Sequence, residues 1–257
     1  MPASDLSLLV DAALAAGEEA KRHIGGDLGV VYKDHDQSPV TRADLAVDRI
    51  LSAHLRAARP DYGWLSEESA DDAGRAKADR VFIVDPIDGT RAFIDGQKSW
   101  AHAIAVAEKG RVTAAVVYLP QRDALYTASL GGGARRNGTP ISVNETAILD
   151  GANVLATKPN MDPRHWNGGV PPITRHHRPS LAYRLSLVAE GRFDAMLTLR
   201  PSWEWDIAAG SLIAEEAGAR VTDRRGGPLR FNAAHPQTDG VLVAAADLHA
   251  DLLDRLV

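Results

Sequence analysis

The sequence predicts a mixed α/β fold, and three observations carry that reading. Apolar residues recur at helical spacing in two early segments, short β-rich apolar runs fill the middle, and helix and strand signals alternate in the second half. With 257 residues the chain is long enough for one large domain or two small ones sharing an interface. The first helix is expected from Leu6, Leu9, Val10, Ala13, Leu14, Gly17, Ala20 and Ile24, and Gly25-Gly26 stops it. Thr41 caps a second helix with Asp44 in its first turn and Ala43, Ala46, Val47, Ile50, Leu51 and Leu55 as its apolar stripe. Val81 to Val84 reads as a buried strand that delivers Asp85 at its tip, where Pro86 ends it. Ala103 to Ala107 and Val112 to Tyr118 form a hairpin around Glu108-Lys109-Gly110-Arg111, and Leu125 to Ala128 adds a strand. Gly131-Gly132-Gly133 and Asn137-Gly138 mark tight turns before Ile141-Ser142-Val143. Beyond a boundary expected near Asp150 come a strand at Val154 to Ala156, a loop from Lys158 to Pro172 and an apolar stretch from Leu181 to Val188. A strand at Ala195 to Leu199 and a helix from Asp206 to Ala217, stopped by Gly218, follow.

Composition narrows the chemistry. The chain is mildly acidic, with 29 Lys plus Arg against 34 Asp plus Glu, and the absence of a long basic block argues against a dedicated binder of nucleic-acid polymers. There is no cysteine, which excludes disulfide scaffolds, thiolate nucleophiles, zinc ribbons and iron–sulfur clusters, so any chemistry falls to oxygen and nitrogen groups. No apolar run approaches the ~18 residues that cross a bilayer, and Met1 to Gly17, broken by Asp5 and Asp11, lacks the pattern of a secretory signal. A cytoplasmic location and no membrane partner are the expectation.

Four acidic clusters stand where elements begin or end: Asp44, Glu67-Glu68, Asp85 with Asp88, and Asp206. Singly, most have bland readings. Asp44 and Asp206 suit helix starts, and Glu67-Glu68 suits a solvated loop. Asp85-Pro86-Ile87-Asp88-Gly89-Thr90 is harder to explain by structure alone, because Pro86 fixes one backbone angle and Gly89 allows close approach, so two carboxylates and a carbonyl can converge. Such an all-oxygen cradle suits Mg²⁺. Gly89-Thr90 can open a helix whose free backbone N–H groups receive an anion, and phosphate is the natural ligand.

Taken in order, Asp44, Glu67-Glu68, Asp85 to Thr90 and Trp205-Asp206-Ile207-Ala208-Ala209-Gly210 resemble the motifs of the Mg²⁺-dependent, lithium-sensitive phosphatases of the inositol monophosphatase superfamily, over nearly the whole chain. The resemblance implies a layered αβαβα sandwich. It implies an α+β part, residues 1–149, that carries most metal ligands, and an α/β part, residues 150–257, that supplies Asp206. Glu67, Asp85 and the Ile87 carbonyl would hold a first Mg²⁺, Asp85, Asp88 and Asp206 a second, and Glu68 would help with a third. The Thr90 hydroxyl, oriented by Asp44, would position the attacking water, and the Gly89 and Thr90 amides would hold the phosphoryl oxygens. Lys33 stands at the spacing of a family lysine near the site, the Lys33 to Ser38 stretch is expected to close over the metal, and a homodimer is implied.

The alcohol released is less constrained. Inositol-specific members carry a glutamate seven residues before the last aspartate, where this chain has Leu199. Ser38-Pro39-Val40-Thr41, Leu65-Ser66-Glu67-Glu68 and Val188-Ala189-Glu190-Gly191-Arg192 look closer to bacterial 3′(2′),5′-bisphosphate nucleotidases, which implies hydrolysis of adenosine 3′,5′-bisphosphate to AMP and phosphate. Inositol, sugar or histidinol monophosphates are the enzymatic alternatives, and a regulatory scaffold the non-enzymatic one. Arg184 and Arg200 could meet a second phosphate, although an ordinary surface arginine is the simpler reading of each, and Arg175 to Arg178 reads as a solvated loop.

Overall fold

The computed structural model describes residues 4–34, 37–71, 73–145 and 148–257; His35 and Asp36, in the middle of the stretch expected to close over the metal, lie outside them. Helix α1 (Asp5–His23) is capped by the Ser4 hydroxyl, which accepts from the Ser7 amide at 3.2 Å. A short ribbon, β1 (Val31–Tyr32) with β2 (Pro39–Val40), leads into α2 (Arg42–Ala58). Thr41 and Asp44 form a reciprocal capping box there, as their spacing predicts.

Next come β3 (Gly63–Ser66), β4 (Arg80–Asp88), the short helix α3 (Thr90–Ile94), β5 (Ala101–Glu108), β6 (Arg111–Leu119), β7 (Ala124–Ser129), β8 (Ala134–Arg136) and β9 (Thr139–Pro140). These strands form one sheet in sequential order, parallel only between β3 and β4. Lys109 (φ 50°) and Gly110 (φ 81°) close the expected β5–β6 hairpin with two left-handed residues, a geometry that matches strand twist.

The second half supplies β10 (Asn153–Leu155), β11 (Thr174–His176), α4 (Leu181–Ala189), β12 (Ala195–Thr198), β13 (Ser202–Trp203), α5 (Glu204–Glu216), β14 (Arg220–Thr222), β15 (Gln237–Thr238), β16 (Val241–Ala244) and α6 (Ala246–Asp254). Five of these strands form a sheet in the order β11-β10-β12-β16-β14, and β13 pairs with β15 separately.

Strand alternation builds the layers. Phe82 and Val84 of β4 face the core under α1 and α2, while Val81 and Ile83 face α4 and α5. On the far side of α4 and α5, Met196, Val241 and Val243 close that second core; Ala195, Leu197, Leu242 and Ala244 face a third one with Leu248 and Leu252 of α6. The result is helix, sheet, helix, sheet, helix, the expected αβαβα sandwich. Gly210 lets the two middle helices touch, since a Cβ there would lie 2.6 Å from Leu185 side-chain carbons. Among the described residues, no helix is long and apolar enough to cross a membrane.

Two local expectations are corrected. Pro86 does not end β4, which runs through to Asp88. The register passes from Asp85 opposite Ala103 to Asp88 opposite Ala101, so Pro86 and Ile87 share a bulge against His102, where a missing N–H costs no ladder bond. The last expected helix begins at Glu204 instead of Asp206, which becomes its third residue.

Candidate metal centre and active site

Helix α2 brings the first acid into the site. Asp44 is buried at its start and accepts from the Thr41 amide at 2.8 Å and the Thr41 hydroxyl at 2.5 Å through one oxygen. Its other oxygen faces the Thr90 hydroxyl at 3.0 Å, which also lies 3.2 Å from the Ile87 carbonyl. Burial raises the Asp44 pKa, and the bonds from Thr41 and Thr90 oppose that rise.

The bulge at the end of β4 projects Asp85 and Asp88 toward the start of α5. Asp85, Asp88 and Asp206 each offer a carboxylate oxygen within 4.8 Å of the others. Asp88 is anchored at the start of α4: Ser180 Oγ and the Ala182 amide each donate at 2.6 Å, and the Leu181 amide at 3.2 Å. Burial pushes its pKa up to about 6 even so. Asp85 is 1% exposed, and among the described residues neither carboxylate oxygen has a hydrogen-bond partner. Burial, then the charges of Glu67, Asp88 and Asp206, holds its pKa well above the usual carboxylate range. Burial, then Asp88 and Glu67, does the same to Asp206. Four like charges converge here, and an unpaired buried carboxylate costs several kcal/mol.

Glu67 and Glu68, on the loop after β3, are drawn together by a lysine. Lys33 Nζ donates to Glu67 Oε1 and to Glu68 Oε1, both at 2.9 Å, and its pKa is raised because the two carboxylates outweigh the effect of burial. Burial, then Glu67, lifts Glu68 to about 7. The expected placement of Lys33 near the acids therefore holds in this structure. The loop is no solvated excursion, since both glutamates are partly buried.

Every acid singled out in the sequence converges on this region. The donors are all oxygens, the Asp85 carboxylate lacks a hydrogen-bond partner among the described residues, and an ammonium bridges Glu67 and Glu68. That set fits hard divalent cations. Arg200 is exposed as expected, whereas Arg184 is not a surface residue. It is 6% exposed, its Nε donates to the Arg178 carbonyl at 2.5 Å, and burial lowers its pKa to about 10 against the charges of Asp88 and Asp206.

Two supporting residues escaped the sequence reading. Ser180, a serine directly before an apolar run, had the signature of a helix cap. Asp48, one turn beyond Asp44, accepts from Ser66 Oγ at 2.6 Å and Ser69 Oγ at 2.7 Å, and so holds both flanks of Glu67-Glu68. A buried acid at i+4 from another was its only signal.

This sandwich with its acid cluster is the architecture of a known class of metal-dependent phosphatases. The chain belongs to the inositol monophosphatase family, whose family model matches residues 2–257. It is 36% identical over 239 residues to an inositol-1-monophosphatase of Rhizobium meliloti, covering 86% of each chain. It is also 36% identical over 235 residues to the Nus factor SuhB of Pseudomonas aeruginosa, again with 86% of each covered. Among solved structures, the extragenic suppressor protein SuhB of Bartonella henselae superposes with a TM-score of 0.82 at 30% identity, over 96% of both chains. An inositol monophosphatase from Anabaena gives 0.79 at 26% identity, over 97% of this chain and 93% of that one.

Proposed function

We propose that the protein is a Mg²⁺-dependent phosphomonoesterase. Glu67, Asp85 and the Ile87 carbonyl would hold one cation, Asp85, Asp88 and Asp206 a second, and Glu68 would assist a third, weaker one. The observation that carries this reading is Asp85, a buried carboxylate with two unpartnered oxygens among other acids. The cations, when bound, make a water more acidic and neutralise phosphoryl charge. The chain's own residues do the positioning. Asp44, fixed by Thr41, accepts a hydrogen bond from the Thr90 hydroxyl, which leaves Thr90 Oγ1 lone pairs to accept from the attacking water. Gly89, at φ 99°, turns the backbone so that its amide and that of Thr90 receive the phosphoryl oxygens. Residues 1–149 thus supply all of the site except Asp206, which comes from residues 150–257.

The preferred substrate in this reading is a 3′-phosphorylated nucleotide such as adenosine 3′,5′-bisphosphate. Leu199, 4% exposed, is packed in the third core, so no carboxylate stands at the position used by inositol-specific members. Inositol 1-phosphate is the second reading, favoured by the activity in the name of the Rhizobium relative. Phosphate release with Mg²⁺ is measured for both esters at equal, subsaturating concentrations. Preference for the nucleotide is expected; preference for the inositol ester overturns the substrate assignment, and release from no phosphomonoester by metal-loaded protein overturns the enzyme. The SuhB relatives named as Nus factors make the scaffold role the outcome to consider in that last case.

A further inference from the structure

The bulge that carries Asp85 and Asp88 is tied to the core by a histidine that the mechanism above does not use. His102 is fully buried in β5. Strand alternation puts its side chain on the face of Trp100 and Ile104, in the core under α1 and α2 that also takes the Ile87 side chain. Its ring packs edge-on against Trp100, with centroids 5.5 Å apart, and lies 6.3 Å from Tyr118. Nδ1 faces the Pro86 carbonyl. We infer that His102 is a positioning residue for the metal centre: by donating to Pro86 it sets the bulge, and so aims the Ile87 carbonyl and the Asp85 carboxylate at the cation. The inference rests on the metal-dependent reading above.

The partner decides which nitrogen carries the hydrogen. A carbonyl only accepts, so Nδ1 is the donor and Nε2 of the neutral ring is a bare acceptor. Nε2 is buried and has no hydrogen-bond partner among the described residues. Packing alone does not explain such a residue, because a phenyl or leucyl side chain would fill an aromatic-lined position without burying an unpaired acceptor. What the imidazole adds is one donor, and the bulge needs one. Pro86 and Ile87 stand together against His102, between the Asp85–Ala103 and Asp88–Ala101 pairs, so the regular ladder is interrupted there. A Pro86 carbonyl turned into this core without a donor would lose water for nothing; with His102 beneath it, that orientation is the favoured one.

The orientation matters because of what flanks it. Asp88 is gripped from α4 by Ser180 and the Leu181 and Ala182 amides. Asp85 has no such grip among the described residues, and the Ile87 carbonyl meets only a hydroxyl, that of Thr90, at 3.2 Å. Both are placed by the backbone of the bulge itself. The pyrrolidine ring holds φ of Pro86, and the bond from His102 to the rigid peptide that follows holds its ψ, so both soft angles at the centre of the bulge are set. Partners one step removed from a metal fix ligand direction in this way, and their loss weakens the site without removing a ligand.

The test uses the full chain, magnesium chloride as the only added ligand, and calorimetry. His102→Leu removes the donor and keeps apolar bulk, whereas His102→Asn keeps a donor near the position of Nδ1. His102→Leu is expected to weaken Mg²⁺ binding about tenfold, and His102→Asn to recover most of that loss. Melting in chelator separates this from a loss of stability, since affinity is expected to follow the donor and not Tm. Unchanged affinity in His102→Leu, a loss that His102→Asn does not recover, or affinity that simply tracks Tm overturns the inference. A second measurement needs no variant. Nitrogen NMR of histidine-labelled wild type is expected to show His102 as the Nδ1–H tautomer, with ring signals that shift on saturation with Mg²⁺. An Nε2–H tautomer, or ring signals unmoved while calorimetry shows binding, overturns the inference. Wild type that binds no Mg²⁺ overturns the metal-dependent reading and this inference with it. Equal binding by wild type and His102→Leu leaves that reading intact and overturns only the role of His102.

Discussion

Asp44 and Asp85 are both 1% exposed and stand in the same site, yet they are opposites. Three donors, the Thr41 amide and hydroxyl and the Thr90 hydroxyl, complete Asp44 within the protein, whereas Asp85 has no hydrogen-bond partner among the described residues. Helix α2 is thus a finished scaffold, and the end of β4 is an unfinished one. Burial of a carboxylate costs the same desolvation in either place, so the difference lies in what offsets it. At Asp44 the fold does so; at Asp85 that falls to the cation proposed above.

The comparison is broken most directly at Asp85. Asp85→Asn is expected to lower phosphate release on the order of 10³-fold, by removing a carboxylate proposed as a ligand for the cations. In chelator the same change is expected to raise Tm, because it relieves repulsion among neighbouring acids. A fall in Tm under chelator would mean that Asp85 has a stabilising partner in the protein after all.

Protonation gives the next largest effect. Asp85, Asp88 and Asp206, with Glu68, have raised pKa values, Asp88 about 6 and Glu68 about 7, so the metal-free fold binds more protons than the unfolded chain. The contribution of Asp88 and Glu68 is fully present below the ordinary carboxylate pKa and is lost as pH rises through about 6 to 7, and Asp85 and Asp206 act in the same direction. Melting in chelator should therefore show this contribution declining from pH 5 to 8, and the Tm gained on adding Mg²⁺ should grow over the same range. A gain independent of pH would remove the acids from the metal site. His102 works in the opposite direction. Its Nδ1 bonds the Pro86 carbonyl, and burial lowers its pKa to about 4, so its contribution is present above its ordinary value and is lost as pH falls through 4.

The finished side of the site is probed at Asp48. Asp48→Ala is expected to cost about 2–3 kcal/mol in urea unfolding, since two charge-assisted hydrogen bonds are lost. Magnesium affinity should fall as well, because the Glu67-Glu68 loop loses its anchor; unchanged affinity would show that the loop holds its shape unaided. The smallest effect is expected at Lys33. Lys33→Met removes a competitor for Glu67 and Glu68 and should tighten Mg²⁺ binding by calorimetry several-fold, in line with the roughly 1 kcal/mol of a partly exposed ion pair. Weaker binding would mean that Lys33 aids the metal instead of standing in for it.

Much of this molecule is legible in the chain alone. The Thr41 cap, the Lys109-Gly110 turn and the alternating strands are local, and local chemistry fixes them. The stretch from Leu181 to Val188 shows only that it is apolar, because α4 is buried on all sides and has no polar face to reveal its period. The end of β4 is hidden for a related reason. Proline normally interrupts a ladder, but whether a bulge absorbs it depends on the facing residue, here His102, sixteen positions away. Arg184 reads as a surface residue by type, and only the packing of its guanidinium among the backbone carbonyls of Arg178 and Pro179 buries it.

The sequence by itself determined which groups can do chemistry: a cysteine-free chain with acids at Asp44, Glu67, Glu68, Asp85, Asp88 and Asp206, each beside a turn or a helix start. Only the tertiary structure decided which of them are satisfied. Charge and spacing are properties of the chain, but a hydrogen-bond partner is a property of what packs alongside. Ser180 reaches Asp88, Ser66 reaches Asp48, and no hydrogen-bond donor among the described residues reaches Asp85, because the partners come from elements distant in sequence and meet only when the layers close.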